Sequence, residues 1–134
     1  MGLCSISKEM VFGDLIHGVG SKYENIYILP NKTNLAYVKH CDPLDGVKII
    51  PETLGQYTGI KDKTGKEIYE GHIVKDSEQT YIVRFGEQIE VDIEFIGFYF
   101  EHITCKEFNG AFSSFDSKVL EIIGNIYENP ELIK

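Results

Sequence analysis

The fold of this chain is limited most by the lack of any sustained helical period. Short runs rich in Val, Ile, Tyr and Phe recur instead: MVFGDLI at 10–16, NIYIL at 25–29, LAYVK at 35–39, GVKII at 46–50, HIVK at 72–75, TYIVRF at 80–85 and GFYFEHIT at 97–104. β-Branched and aromatic residues suit a pleated strand and lose rotamer freedom in a helix, so each run reads as a strand. Turn formers separate them, with Gly-Val-Gly-Ser at 18–21, Pro-Asn-Lys-Thr-Asn at 30–34 and Asp-Pro-Leu-Asp-Gly at 42–46. The nearest approach to a helix is SSFDSKVLEIIGNIYENP at 113–130. There Val119, Leu120, Ile122 and Ile123 are too dense for one helical face, and β-branching with Gly124 favours a strand. Asn129-Pro130-Glu131 reads as a cap, a first helical position and an acidic first turn, with room for one terminal turn.

Many short strands in 134 residues predict an all-β chain. The expected form is a small antiparallel β-barrel-like, SH3-like domain with extra N-terminal strands and at most short helical turns. The clearest alternation is IEVDIEF at 89–95, where Ile89, Val91, Ile93 and Phe95 interleave with Glu90, Asp92 and Glu94. A period of two predicts one strand with a buried face and an acidic, solvated face. Those three acids read as a soluble sheet surface that discourages edge pairing rather than as a cation site.

Twenty-one acidic against thirteen basic residues give a net charge of −8, which opposes diffuse attraction to nucleic acid or anionic membrane. Protein partners or self-association fit that balance better. Cys4, Cys41 and Cys105 are odd in number and far apart, which suits a reducing compartment rather than a disulfide framework. No apolar run reaches the roughly 20 residues of a membrane helix, and the opening MGLCSISKEM has no basic-then-apolar leader. A cytoplasmic protein is expected.

The stretch GQYTGIKDKTGKEIYEGHIV at 55–74 comes close to a phosphate-binding loop. That loop needs Gly, four residues, Gly-Lys and then Ser or Thr, because backbone N–H groups cradle phosphate and the hydroxyl holds magnesium. Here five residues separate Gly59 from Gly65-Lys66, and Glu67 stands where the hydroxyl is needed. The same residues make better sense as a hairpin. Asp62-Lys63-Thr64-Gly65 suits a type I turn, QYTGI and KEIY are its arms, and Gly71 breaks the second arm before HIVK.

No catalytic, metal or cofactor constellation emerges. His17, His40, His72 and His102 lack the spacing of a zinc site, and a three-residue offset on a strand separates His102 from Cys105. Glu90, Asp92 and Glu94 show nothing that would single out one carboxyl for acid chemistry. Tyr57, Lys61, Lys63, Lys66 and Tyr69 form the one basic, aromatic cluster. Such a set can hold single-stranded nucleic acid by phosphate contact and stacking, although lysines at a hairpin tip also serve solubility.

The 55–74 stretch also resembles the signature of the YopX family, in Gln56-Tyr57-Thr58-Gly59-Ile60 and Gly65-Lys66-Glu67-Ile68-Tyr69-Glu70-Gly71, departing at His72 where aspartate is usual. IIGNIYENPELI at 122–133 is similar to the family's C-terminal end, and VFGDLI at 11–16 with PETLGQYTG at 51–59 is similar to the N-terminal half of one branch. The resemblance implies a largely β protein encoded by phages or prophages. The length suits a single domain over 1–134, with a strand-rich part at 1–54 and, as the resemblance implies, a barrel-like part at 55–134. The resemblance transfers no catalytic residue. The expected role is a non-enzymatic accessory protein acting through protein contacts, with a nucleic-acid-binding module of phage replication or transcription as the alternative.

Overall fold

The computed structural model describes residues 1–17, 26–30, 47–90, 93–104, 110–111 and 116–134. The expected strand at 35–39, the turns at 18–21 and 42–46, and His40, Cys41, Asp92 and Cys105 lie outside the described residues. The chain divides into two compact units, Met1–Gly55 and Gln56–Lys134. Every described sheet is antiparallel, and among the described residues no helix exceeds a 3-10 turn.

In the first unit β1 (Gly2–Leu3) pairs with β2 (Met10–Val11), and β3 (Gly13–His17), β4 (Ile26–Pro30) and β5 (Val47–Lys48) form a second sheet. An isolated bridge from Cys4 to Ile49 links the two. Cys4, Ile28 and Ile49 are buried together, flanked by Val11 and Leu54. Thr53, in the 3-10 turn Pro51–Thr53, accepts from Leu3 N–H at 2.8 Å and donates to the Ile50 carbonyl at 2.7 Å, so one buried hydroxyl is satisfied both ways.

The second unit carries the hairpin of β6 (Tyr57–Lys61) and β7 (Glu67–Tyr69), and a five-stranded sheet. That sheet contains β8 (His72–Lys75), β9 (Thr80–Glu90), β10 (Ile93–His102), β11 (Gly110–Ala111) and β12 (Glu121–Asn125), in the order β11-β10-β9-β8-β12. The antiparallel all-β class is as expected, and the described sheets remain separate and open rather than closing into a barrel. Ile68, Val74, Tyr81, Val83, Phe100 and Leu120 form the core, with Ile60, Phe98 and Ile122 packed against it. Ile73 and Ile82, paired across β8 and β9, are buried as well, so HIVK is covered on both faces.

One strand differs from expectation. IEVDIEF is divided between β9 and β10, with Glu90 opposite Ile93 and Ile89 opposite Glu94. In this register facing positions have opposite parity, so positions 90 and 94 fall on opposite faces and do not share an acidic one. A period of two cannot tell one strand from two antiparallel strands in succession.

The 113–130 segment does hold a strand, β12, and the C-terminal turn is a 3-10 turn, Pro130–Ile133. Asn129 does not cap that turn with its side chain. Its Oδ1 accepts from Asn125 N–H at 3.2 Å instead. β12 bulges between Ile122 and Gly124, and a Cβ at Gly124 would stand 2.5 Å from Asn129 Oδ1 and 2.9 Å from its Cγ. Only glycine fits this approach of strand and turn. Gly124→Ala should cost about 1–3 kcal/mol in denaturant unfolding, the usual range for overpacking. In an Asn129→Ala background, which removes the two nearest atoms, the added cost should shrink, and a double-mutant cycle reads that coupling.

Candidate functional site

The tip of the β6–β7 hairpin is built around Asp62, which is 6% exposed. Its carbonyl accepts from Gly65 N–H at 3.0 Å and its N–H donates to the Lys66 carbonyl at 2.8 Å, closing the Asp62-Lys63-Thr64-Gly65 turn. Gly65 sits at φ +86, where a side chain would be strained. Asp62 Oδ1 accepts from Thr64 N–H at 2.8 Å, Thr64 Oγ1–H at 2.7 Å and Lys66 N–H at 3.0 Å. Oδ2 accepts from Ile122 N–H, sixty residues away, at 3.2 Å. Burial pushes this carboxyl up, but the hydrogen bonds to its ionised form outweigh burial and hold it below the usual aspartate range.

The tip is therefore docked on the start of β12. Lys63 N–H donates to the Leu120 carbonyl at 2.9 Å, and Lys63 Nζ lies 2.7 Å from Glu121 Oε2. That hydrogen-bonded lysine draws the Glu121 carboxyl below its ordinary value. The phosphate-loop likeness has a structural answer here. The N–H groups of Thr64 and Lys66, which would have to face an anion, point at the chain's own carboxylate.

Tyr57, Lys61, Lys63, Lys66 and Tyr69 lie on this one hairpin. Lys61, Lys63 and Lys66 are exposed, with Lys61 opposite Glu67 in the register and Lys63 in its ion pair. Tyr57 and Tyr69 face each other across the strands, ring centroids 5.4 Å apart. Tyr57 is 40% exposed and Tyr69 only 7%, with the Tyr69 hydroxyl donating to Glu67 Oε2 at 2.7 Å.

His72 is buried at the opening of β8, after the Glu70-Gly71 reversal, and its Nδ1 accepts from Tyr69 N–H at 3.2 Å. An accepting Nδ1 requires a neutral ring with its proton on Nε2. Burial lowers the pKa of this ring to about 4. The aspartate that the resemblance leads one to expect at 72 would offer an oxygen to the same N–H, so histidine preserves the turn with a different acceptor.

A second feature stands out in the same unit. β9 and β10 pair without a break from Tyr81–His102 to Glu90–Ile93, whereas β8 meets β9 only at Thr80, Tyr81 and Ile82, and β11 meets β10 only at Tyr99 and Phe100. Among the described residues, 84–90 and 93–98 thus extend beyond the pairing with β8 and β11 as a two-stranded arm. One face runs from the buried Val83 and Phe100 to Phe85 and Phe98, whose rings are 5.0 Å apart, and then to Glu87 and Ile96. Phe98 is half-buried, Phe85 is 46% exposed and Ile96 is 70% exposed. On the opposite face Arg84 Nε meets Glu101 Oε2 at 2.7 Å. Neither the arm nor the Ile122 tie was anticipated. The arm does leave a mark in the sequence, because Phe85-Gly86 and Gly97-Phe98 mirror each other and pair residue for residue.

The sequence profile described as YopX protein matches residues 6–134. The chain belongs to the YopX family. No curated protein matches it. Within this YopX chain the signature motif is the docked hairpin itself, and the C-terminal motif supplies both the Ile122 N–H that Asp62 receives and the Gly124–Asn129 approach.

Asp62→Asn turns one acceptor oxygen into a donor and removes the charge, so it should cost about 2–3 kcal/mol by denaturant unfolding. His72 gives a separate acid response. Its folded pKa lies below the unfolded value of about 6.5, so the unfolded chain binds the proton first. Its contribution is complete above about pH 6.5 and is lost as pH falls toward 4, about 3 kcal/mol in all. His72→Asn, which keeps an acceptor, should flatten unfolding free energy against pH between about 5 and 6.5, above the range where carboxylates titrate.

Proposed function

We propose that this YopX protein is a non-catalytic phage or prophage accessory module that works in the cytoplasm through contacts with protein, either a host or phage partner or a second copy. The observation that carries the reading is the β9–β10 arm, where the apolar face of the core continues outward to leave Phe85 and Ile96 exposed. Exposed apolar side chains grouped on a sheet are a recurrent mark of protein contact surfaces. The net charge of −8 supports a protein rather than a polyanion as the partner. Three polar groups elsewhere in this unit are engaged within the fold, Asp62 and His72 as described, and Asp76 by Glu78 N–H, Gln79 N–H and the Tyr81 hydroxyl.

The second reading, a nucleic-acid-binding module, draws on Tyr57, Lys61 and Lys66, all exposed on one hairpin. Stacking there would rest on Tyr57, since Tyr69 is buried beneath it. Fluorescence anisotropy with labelled single-stranded and duplex oligonucleotides at low salt separates the two. The leading reading expects no binding at tens of micromolar protein, roughly the nonspecific range. Binding that weakens in Lys61→Ala/Lys66→Ala would reverse the order of the two readings.

A further inference from the structure

We infer that the β9–β10 arm is a docking edge for a basic, amphipathic extended segment of a partner protein, received along β10 at Ile93–Gly97. The inference rests on the protein-contact reading above and specifies its partner. Three observations converge. First, β11 meets β10 only at Tyr99 and Phe100, and among the described residues β9 alone pairs with Ile93–Gly97. An extended segment can add to such an edge through main-chain hydrogen bonds, with alternate side chains setting specificity.

Second, the face beside that edge is a mixed one. Phe85, Phe98 and Ile96 supply apolar surface, and Glu87 and Glu94 stand exposed among them, Glu87 directly opposite Ile96. A strand that alternates basic and apolar residues is complementary to it, since opposite charges and apolar pairs both stabilise neighbouring strands.

Third, the charge of the arm is one-sided. The 84–98 stretch carries four acids, Glu87, Glu90, Asp92 and Glu94, against one base, Arg84, which is paired with Glu101. Two copies of the arm laid edge to edge would repel each other, whereas a cationic segment would be drawn in. The occupant that fits is basic and extended, and is not a second arm.

The test titrates the full-length chain into labelled peptides of eight alternating residues, Lys-Val, Lys-Ser and Glu-Val, followed by anisotropy at two salt concentrations. The Lys-Val peptide should bind at least about tenfold more tightly than Lys-Ser, which lacks apolar contact, and Glu-Val should not bind. Ile96→Ser and Glu87→Gln/Glu94→Gln should each weaken Lys-Val binding about five- to tenfold, and only the charge variant should show a smaller salt dependence. These are exposed positions, and matched circular dichroism and unfolding curves confirm that the variants remain folded.

Equal binding of Lys-Val and Glu-Val, or Lys-Val affinity unchanged in both variants, overturns the inference. So does a concentration-dependent dimer, seen by light scattering, that Ile96→Ser abolishes, since the arm would then be covered by a second copy. The broader reading is judged separately. A partner retained from host lysate equally by wild type and both variants leaves the protein-contact function standing and removes the arm from it.

Discussion

The Asp62 carboxylate is the constraint on which the second unit turns. A buried carboxylate is costly unless its oxygens are well supplied with donors, and here four are provided. Three of them are local, so they shape the turn. The fourth, Ile122 N–H, comes from the far end of the chain and brings β12 to the hairpin. Ile60 on β6, Ile68 on β7 and Leu120 and Ile122 around β12 then share one core. The polar tie fixes which strand meets the hairpin, and the apolar contacts supply most of the stabilisation.

How much of this was legible in the sequence follows from how local each cause is. The Asp62-Lys63-Thr64-Gly65 turn could be read because an acceptor at the first position and glycine at the fourth act within four residues. HIVK could be read as a strand because β-branched Ile73 and Val74 directly follow the break at Gly71. The division of IEVDIEF could not, since a period of two does not mark where one strand ends and the next begins. Local capping rules assign the Asn129 side chain to its own turn, but its Oδ1 accepts from Asn125 N–H beside the bulge of β12 instead. Whether strands close into a barrel depends on register and pairing across the whole chain, which composition does not encode.

The resemblance and the physical reading also explain each other. The signature stretch is distinctive because several of its residues have specific structural tasks. Thr58 Oγ1 donates to the Ile68 carbonyl, Asp62 and Gly65 make the turn, Tyr69 packs on Tyr57, and position 72 must offer an acceptor to Tyr69 N–H. A motif of this kind identifies a family through its folding requirements and says little about what the family does. Histidine in place of aspartate at 72 supports that view, since the acceptor survives while the charge does not.

Charge then separates the two ends of the unit. At the hairpin the one buried acid is fully engaged and the nearby lysines are exposed or paired with an acid, so the local field is nearly balanced. Along the arm four acids stand against Arg84 alone, which is already paired with Glu101, and the exposed Glu87 and Glu94 lie beside apolar groups. An open apolar edge normally invites pairing with another copy of itself, and like charges along it raise the cost of that pairing. The same charges lower the cost of pairing with a cationic strand. An acidic apolar edge is thus protected from itself and remains open to a partner of opposite character, which gives the uneven distribution of the chain's negative charge a physical consequence.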